Sequence, residues 1–218
     1  MKKRTLILFT LLVFGASVSL SAKSAAIVFT KGKVEVKIKN KWKKARIGMR
    51  LGQRDEIRTG KRSTALIKFK RGTRLKLRQN SQIALSRLSG SENITLNLRR
   101  GGVFSKVNKR RAGEKYRIRT PTSVAGVRGT EFFFSYGEKK KDALWLCVNE
   151  GKVNVKTDKS DVDVKEGFGV AIEDKAVSDP AALKWTQKLN WNMNADTGKI
   201  EDYTTIKEDY SVLDADYD

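Results

Sequence analysis

From Ala25 to Ile172 the dominant hydrophobic period is two. In Val34-Glu35-Val36-Lys37-Ile38-Lys39 the apolar residues hold the even positions, and in Arg46-Ile47-Gly48-Met49-Arg50-Leu51 they hold the odd ones. The alternation returns over 65–70, 74–78, 94–99, 153–156 and 162–165. Side chains on a strand point alternately to its two faces, so each run predicts a strand with one buried face. Arg46, Arg50, Arg54 and Arg58 are four apart and also suit a helix. Gly48, Gly52 and Gly60, and repulsion between like charges one turn apart, favour strand.

Turn signals separate the runs: Lys31-Gly32, Arg71-Gly72, Ser89-Gly90, Gly101-Gly102, Tyr136-Gly137 and Glu150-Gly151. Many short strands at this spacing predict an all-β domain over residues 23–173. Gly32-Lys33-Val34-Glu35-Val36-Lys37 is echoed by Gly151-Lys152-Val153-Asn154-Val155-Lys156, and another glycine follows each after 16 residues, Gly48 and Gly167. Two copies do not make a repeat array. They fit an elongated β-roll or sandwich, or a short solenoid, in which similar hairpins stack.

The pattern changes after Ile172. Ser178-Asp179-Pro180 offers a helix cap and a first-turn proline, and Ala182, Trp185, Leu189 and Met193 share a helical face with Trp191 beside it. One amphipathic helix packed on the β domain is predicted within 174–200. Residues 201–218 hold seven acids and one base and read as a mobile acidic tail.

Residues 120–132, Thr-Pro-Thr-Ser-Val-Ala-Gly-Val-Arg-Gly-Thr-Glu-Phe, lie between two strand-like flanks. Pro121 cannot donate to a sheet ladder and belongs at a strand start, an edge or a bulge. Gly126 and Gly129 permit positive φ or a close backbone approach. No nucleophile in the stretch has a base beside it.

Thr120, Pro121, Thr122, Gly126, Val127, Arg128, Gly129, Thr130, Glu131 and Phe132 resemble the signature of the FecR domain. Spaced matches extend the resemblance over roughly 25–173: Gly32-x-Val34-x-Val36, Trp42, Leu51-Gly52, Asp55 to Gly60, Ser63-x-Ala65, Gly72-Thr73, Gly101-Gly102-Val103 and Glu150-Gly151-x-Val153. Arg71-Gly72-Thr73 departs from the family's Asp-Gly-Ser, exchanging an acid for a base. The resemblance implies an elongated all-β fold and an exported bacterial module for regulation or sensing. FecR proteins of signalling systems join this domain through a membrane span to a cytoplasmic segment that controls a sigma factor, and they take their signal from an outer-membrane transporter. With a leader read at the start, no segment ahead of it is expected to do that cytoplasmic work, and the resemblance is expected to bear on the envelope half of the mechanism only.

Charge adds a second theme. The chain has 46 Lys and Arg against 24 Asp and Glu, a net +22. Lys2, Lys3 and Arg4 account for three of these charges, and residues 173–218, with 11 acids and 5 bases, carry −6; residues 23–172 are left with +25. Lys68, Lys70, Arg74, Lys76, Arg78, Arg99, Arg117 and Arg119 are predicted to form rows on the face opposite the core. A surface of one sign repels itself, and such rows suit a linear polyanion.

Lys2-Lys3-Arg4, the apolar Leu6–Leu20 and the small residues Ser19, Ser21, Ala22 and Ser24 read as a signal peptide over 1–22. The apolar run is shorter than the 20 or so residues of a membrane helix, and the mature chain is expected to have no transmembrane helix. Export makes nucleic acid a poor candidate and anionic envelope polymers or lipid headgroups better ones. The expected location is the periplasm or the outer membrane, with secretion as an extension.

Histidine is absent and Cys147 is the single cysteine, which removes His-based catalysis, His-containing metal sites and internal disulfides. No cofactor is expected. Asp55 and Glu56 are adjacent and so point to opposite strand faces, which suits no glycosidase pair. Arg128 and Glu131 suit a structural ion pair bracing the turn better than a recognition pair. Trp42, Trp145, Trp185 and Trp191 suit packing, with Trp42, flanked by bases, the candidate for contact with a ligand. The expectation is a non-enzymatic exported module that binds an anionic polymer or an envelope protein. A signal relay coupled to an outer-membrane transporter and an adhesin for anionic host polymers are the alternatives.

Overall fold

A computed structural model describes residues 24–89, 93–109, 111–137, 144–182 and 188–202. Residues 1–23, which include the predicted signal peptide, lie outside the described residues, as do Trp185 and tail residues 203–218. Two sheets, A and B, share one strand, and the chain passes repeatedly between them. β1 (Ala25–Lys31) lies in A; β2 (Val34–Ile38) and β3 (Lys41–Lys44) form a hairpin in B. β4 (Arg50–Leu51) returns to A, and β5 (Glu56–Thr59) to B. β6 (Thr64–Phe69) and β7 (Arg74–Leu77) form a hairpin in A, and β8 (Gln82–Ser89) is in B.

β9 (Asn93–Val107) starts in B and ends in A. β10 (Lys115–Arg119) and β11 (Val124–Val127) belong to B, and β12 (Thr130–Tyr136) and β13 (Leu144–Glu150) to A. β14 (Lys152–Lys156) and β15 (Asp161–Lys165) form a hairpin in B. β16 (Phe168–Glu173), with the short β17 (Ala176–Val177) and β18 (Ala181–Ala182), completes A.

Sheet B therefore runs β3-β2-β5-β8-β9-β10-β11-β14-β15, and sheet A runs β4-β1-β6-β7-β9-β12-β13-β16. Among the described pairings only β9 with β10 is parallel. This is the sandwich form of the expectation; a solenoid stacks parallel coils. Ile27, Ile67, Leu75, Val103, Phe132 and Leu146 of A face Val36, Ile57, Leu85, Leu96, Ile118 and Val155 of B in one core. Burial of that apolar area is the main stabilising contribution.

The sequence echo is structural. β1 leaves A at Gly32, β2 and β3 form a hairpin in B, and the chain returns past Gly48 to β4. β13 leaves A at Gly151, β14 and β15 form a hairpin in B, and the chain returns past Gly167 to β16. Gly48 N–H donates to Ile27 C=O (2.8 Å) and Gly167 N–H to Val148 C=O (2.9 Å), so each return is tied to the strand the hairpin left.

The predicted C-terminal helix is a correction at the residues described on either side of 183–187, which lie outside them. Ala181 and Ala182 pair with Gly169 and Phe168 in sheet A. Leu189–Asn194 is not helical, and Ala195–Thr197 is a single 3-10 turn. Alternating asparagines are the cause. Asn190 Oδ1 accepts from Asn192 N–H (3.0 Å), Asn192 Oδ1 from Asn194 N–H (2.9 Å) and Asn194 Oδ1 from Asp196 N–H (3.2 Å). These local bonds take amides that a helix would use. Residues 188–202 instead form a strap over the outer face of sheet A, where Leu189, Met193 and Ile200 pack with Leu66, Phe104, Phe133 and Cys147.

Candidate functional site

Residues 120–132 build a crossing from one sheet to the other. Thr120 Oγ1 accepts from the amides of Ser123 (3.0 Å) and Thr122 (3.3 Å), closing the β10–β11 turn that holds Pro121. β11 then pairs with β10 and β14, burying Ala125 and Val127. Gly129 has φ +81°, and a Cβ there would stand 3.0 Å from Lys109 Cα, so both the turn and the close approach require glycine. Gly126 differs from expectation: it is an ordinary strand residue whose nearest neighbour to a Cβ would be Asn154 O at 4.0 Å.

Beyond the corner, Thr130 Oγ1 donates to Lys152 C=O (2.9 Å) and Phe132 meets Tyr116 edge-on, with ring centroids 6.4 Å apart. Buried Glu131 accepts from Asn149 Nδ2 (2.9 Å) and lies 3.4 Å from Lys106 Nζ; Arg128 is exposed. Bracing of the crossing by Glu131 thus runs to β13 and β9. Asp55 has a similar structural duty, its Oδ2 accepting from Gly52 N–H at 2.8 Å.

The eight basic residues do not share one face. Lys68, Lys70, Arg74, Lys76 and Arg78 belong to the sheet A side, and Arg99, Arg117 and Arg119 to the outer face of B. Lys68, Lys70, Arg99 and Arg119 are exposed, and Arg74 and Arg117 are half-buried. Lys76 and Arg78 are corrections: they are 0% and 2% exposed, because the strap covers them. Lys76 Nζ donates to the carbonyls of Asn190 and, at 3.1 Å, Asn192, and lies 4.1 Å from the Phe104 ring centroid. Burial pushes the Lys76 amine down to about 8, against the opposing pull of Asp202. Arg78 lies 3.7 Å from Asp202 and 5.5 Å from the Phe133 centroid. Glu201, paired with Lys31 at 2.7 Å and held below the usual carboxylate range by that hydrogen bond, joins Asp202 in docking the start of the acidic segment.

The outer face of B is different in kind. One cross-strand row reads Trp42, Lys37, Glu56, Ala84, Asn97, Arg119, Val124, Lys156 and Asp161. The next reads Arg87, Thr95, Arg117, Gly126, Asn154 and Asp163. Small residues form the middle, with Arg87, Arg117 and Arg119 standing among them and Arg99 at the flank beside Glu56. Alternation reveals the outward arginines; Arg87 escapes it because a bulge near Ser86 breaks the period.

The flanks of this face are internally paired. Glu56 meets Lys37 (3.8 Å), Arg99 (3.3 Å) and Gln82 (3.1 Å). Arg58 donates to Glu35 (2.8 Å), holding that carboxyl below its ordinary range, and stacks 4.0 Å from the Trp42 centroid. At the other edge Asp161 and Asp163 bond Asn154, Lys156 and Lys152.

The model of the family described as FecR protein matches residues 55–167, more than half of the chain. The chain belongs to the FecR family. The match takes in β5 to β15 and the whole of the signature crossing. No curated protein matches. Two crystal structures of a putative anti-sigma factor from Parabacteroides distasonis, at 1.65 and 2.50 Å, have a similar fold. At 18% identity the first aligns with a TM-score of 0.53 over 62% of this chain and 64% of that one, the second with 0.51 over 61% and 64%. The FecR chain thus spans less than two thirds of the solved chains it matches. No helix among its described residues is long and apolar enough to cross a membrane.

Proposed function

We propose that this FecR-family protein is a non-catalytic regulatory module, exported to the cell envelope, that binds an anionic polymer through the outer face of sheet B. The observation that carries the reading is the placement of Arg87 on β8 and of Arg117 and Arg119 on β10, on either side of β9, around Ala84, Thr95 and Asn97. Neighbouring strands are about 4.8 Å apart and alternate residues on one strand about 6.8 Å, so Arg117 and Arg119 recur along one strand with Arg87 two strand spacings away, a spread that suits a linear polymer rather than convergence on one point. Guanidinium groups pair well with sulfate, phosphate and carboxylate. Export rests on the charged and apolar N-terminal stretch, and the regulatory role on FecR membership.

Titration of the mature protein with heparin, lipopolysaccharide and a neutral glycan at several salt concentrations tests this. Binding to the anionic polymers alone, with log affinity falling linearly with log salt, is expected. Salt-independent binding, or none, counts against the reading.

A relay through protein contacts is the second reading, favoured by the likeness in fold to a protein described as an anti-sigma factor. Crosslinking in the native cells separates the two: capture of a transporter supports the relay, and capture of glycan or lipid the polymer.

A further inference from the structure

The outer face of sheet A is occupied in an unusual manner. Its apolar centre, Leu66, Phe104, Phe133 and Cys147, carries two cations at its heart, Lys76 and Arg78. An apolar cover would stabilise the sandwich without them, and buried ion pairs are often no better than hydrophobic replacements. What the cations meet is informative. Lys76 is satisfied by the main-chain carbonyls of Asn190 and Asn192, which any extended peptide can offer. Arg78 faces the carboxylate of Asp202. Trp191 meets Phe104 edge-on at 5.2 Å, and Leu189, Met193 and Ile200 fill the remaining apolar surface. The face therefore reads backbone carbonyls, a carboxylate and a few apolar anchors.

The strap that supplies them is held together largely by itself. Asn190 Nδ2 donates to the carbonyls of Lys199 (2.8 Å) and Glu201 (3.0 Å), and Asn192 Nδ2 to Gly198 C=O (2.9 Å). Among the described residues it adds no strand to the sheet A ladder; it lies across the face by side-chain contact. A segment bonded internally and seated by side chains can leave as a unit, whereas a ladder strand would strip the sheet of hydrogen bonds. Its departure would rehydrate Lys76 and Arg78, which offsets part of the apolar cost.

We propose that the outer face of sheet A is a peptide-docking surface for a partner protein, one that presents an extended segment with an aromatic or aliphatic anchor and a carboxylate, and that residues 188–202 occupy this surface as an internal competitor. Charge complementarity selects the partner: Lys76 and Arg78 call for carbonyl and carboxylate oxygens, and Phe104 and Phe133 for an apolar anchor. The inference concerns the face opposite the arginine rows and stands apart from polymer binding.

The test uses the full mature chain with Trp191→Ala and Met193→Ala, which weaken the strap's anchors while leaving the sheet intact. A fluorescent synthetic peptide of residues 188–202 is the probe, and anisotropy is the readout. Saturable binding to the weakened-strap protein, at least tenfold tighter than to the parent, is expected. A probe with Asp202→Asn should bind at least tenfold more weakly than the unaltered probe. Equal binding of the two probes, or no saturable binding to the weakened-strap protein, overturns the proposal. Hydrogen exchange on the unaltered parent guards against a folding artefact. Strap amides exchanging at least a hundredfold faster than those of β12 and β13 support a seat that opens by itself; strap and strands exchanging together sink it.

Discussion

Arg78 and Asp202 face each other at 3.7 Å with side chains 2% and 0% exposed, 124 positions apart in the numbering. Removing one partner leaves the other's charge buried. Asp202→Asn is therefore expected to destabilise strap closure by about 3 kcal/mol, while Arg78→Met combined with Asp202→Leu returns close to the parent. Hydrogen exchange of residues 189–202 reads the cost directly. Global unfolding in urea reads it only up to the strap's own opening free energy. Unchanged exchange in Asp202→Asn would show that the pair contributes nothing.

Lys76 gives the strap a pH dependence of definite sign. Burial lowers its amine from 10.5 to about 8, with Asp202, Glu131 and Glu201 pulling upward and Arg78 downward. The closed state thus binds fewer protons than the open one between those values. Closure is penalised below about pH 8 and gains stability as pH rises from there towards 10.5. Strap protection in the parent should rise relative to that in Lys76→Met over that window. Parent protection that falls, or stays constant, relative to the variant contradicts the assignment.

The signature glycines separate cleanly. Gly129→Val places a β-branched side chain at φ +81° and against Lys109 Cα, and should cost about 1–3 kcal/mol. Gly126→Ala sits in strand backbone, where its Cβ would meet only Asn154 O at an ordinary 4.0 Å, and should leave the urea midpoint nearly unchanged. Equal losses at the two positions would mean that the corner is not where the constraint lies.

Period-two alternation makes the strands and the inward residues legible, and the echo of Gly32 with Gly151 marks two real crossings between sheets. Alternation separates a strand's two faces but does not say which sheet the strand joins. Lys76 and Arg117 therefore look equivalent in the sequence, though one lies under the strap and the other on the open face of B. Leu189 and Met193 mislead for a related reason. Four is a multiple of two, so their spacing suits a helix and an extended segment alike. Asn190, Asn192 and Asn194 are the available discriminator, since asparagine side chains favour local turns over helix.

The split of the cations between two faces makes the polymer hypothesis testable in one comparison. On sheet B, Arg87, Arg117 and Arg119 stand on a floor of small side chains, apart from the ion pairs that occupy Glu56 and Glu35 at one flank. On sheet A, exposed Lys68 and Lys70 lie beside half-buried Arg74, outside the strap. Exchanging either set of three for Glu changes net charge by the same amount, so a diffuse attraction to the +25 body would weaken equally in both. A polymer seated on B releases its counterions there. The B triple variant should lose affinity for heparin at moderate salt by orders of magnitude. Its log–log slope should flatten by roughly one unit for each arginine that no longer neutralises a polymer charge. The A triple variant should shift affinity modestly with the slope nearly kept, because distant charges act through a screened field. Equal effects of the two variants would reduce the interaction to net charge and leave the relay as the better reading.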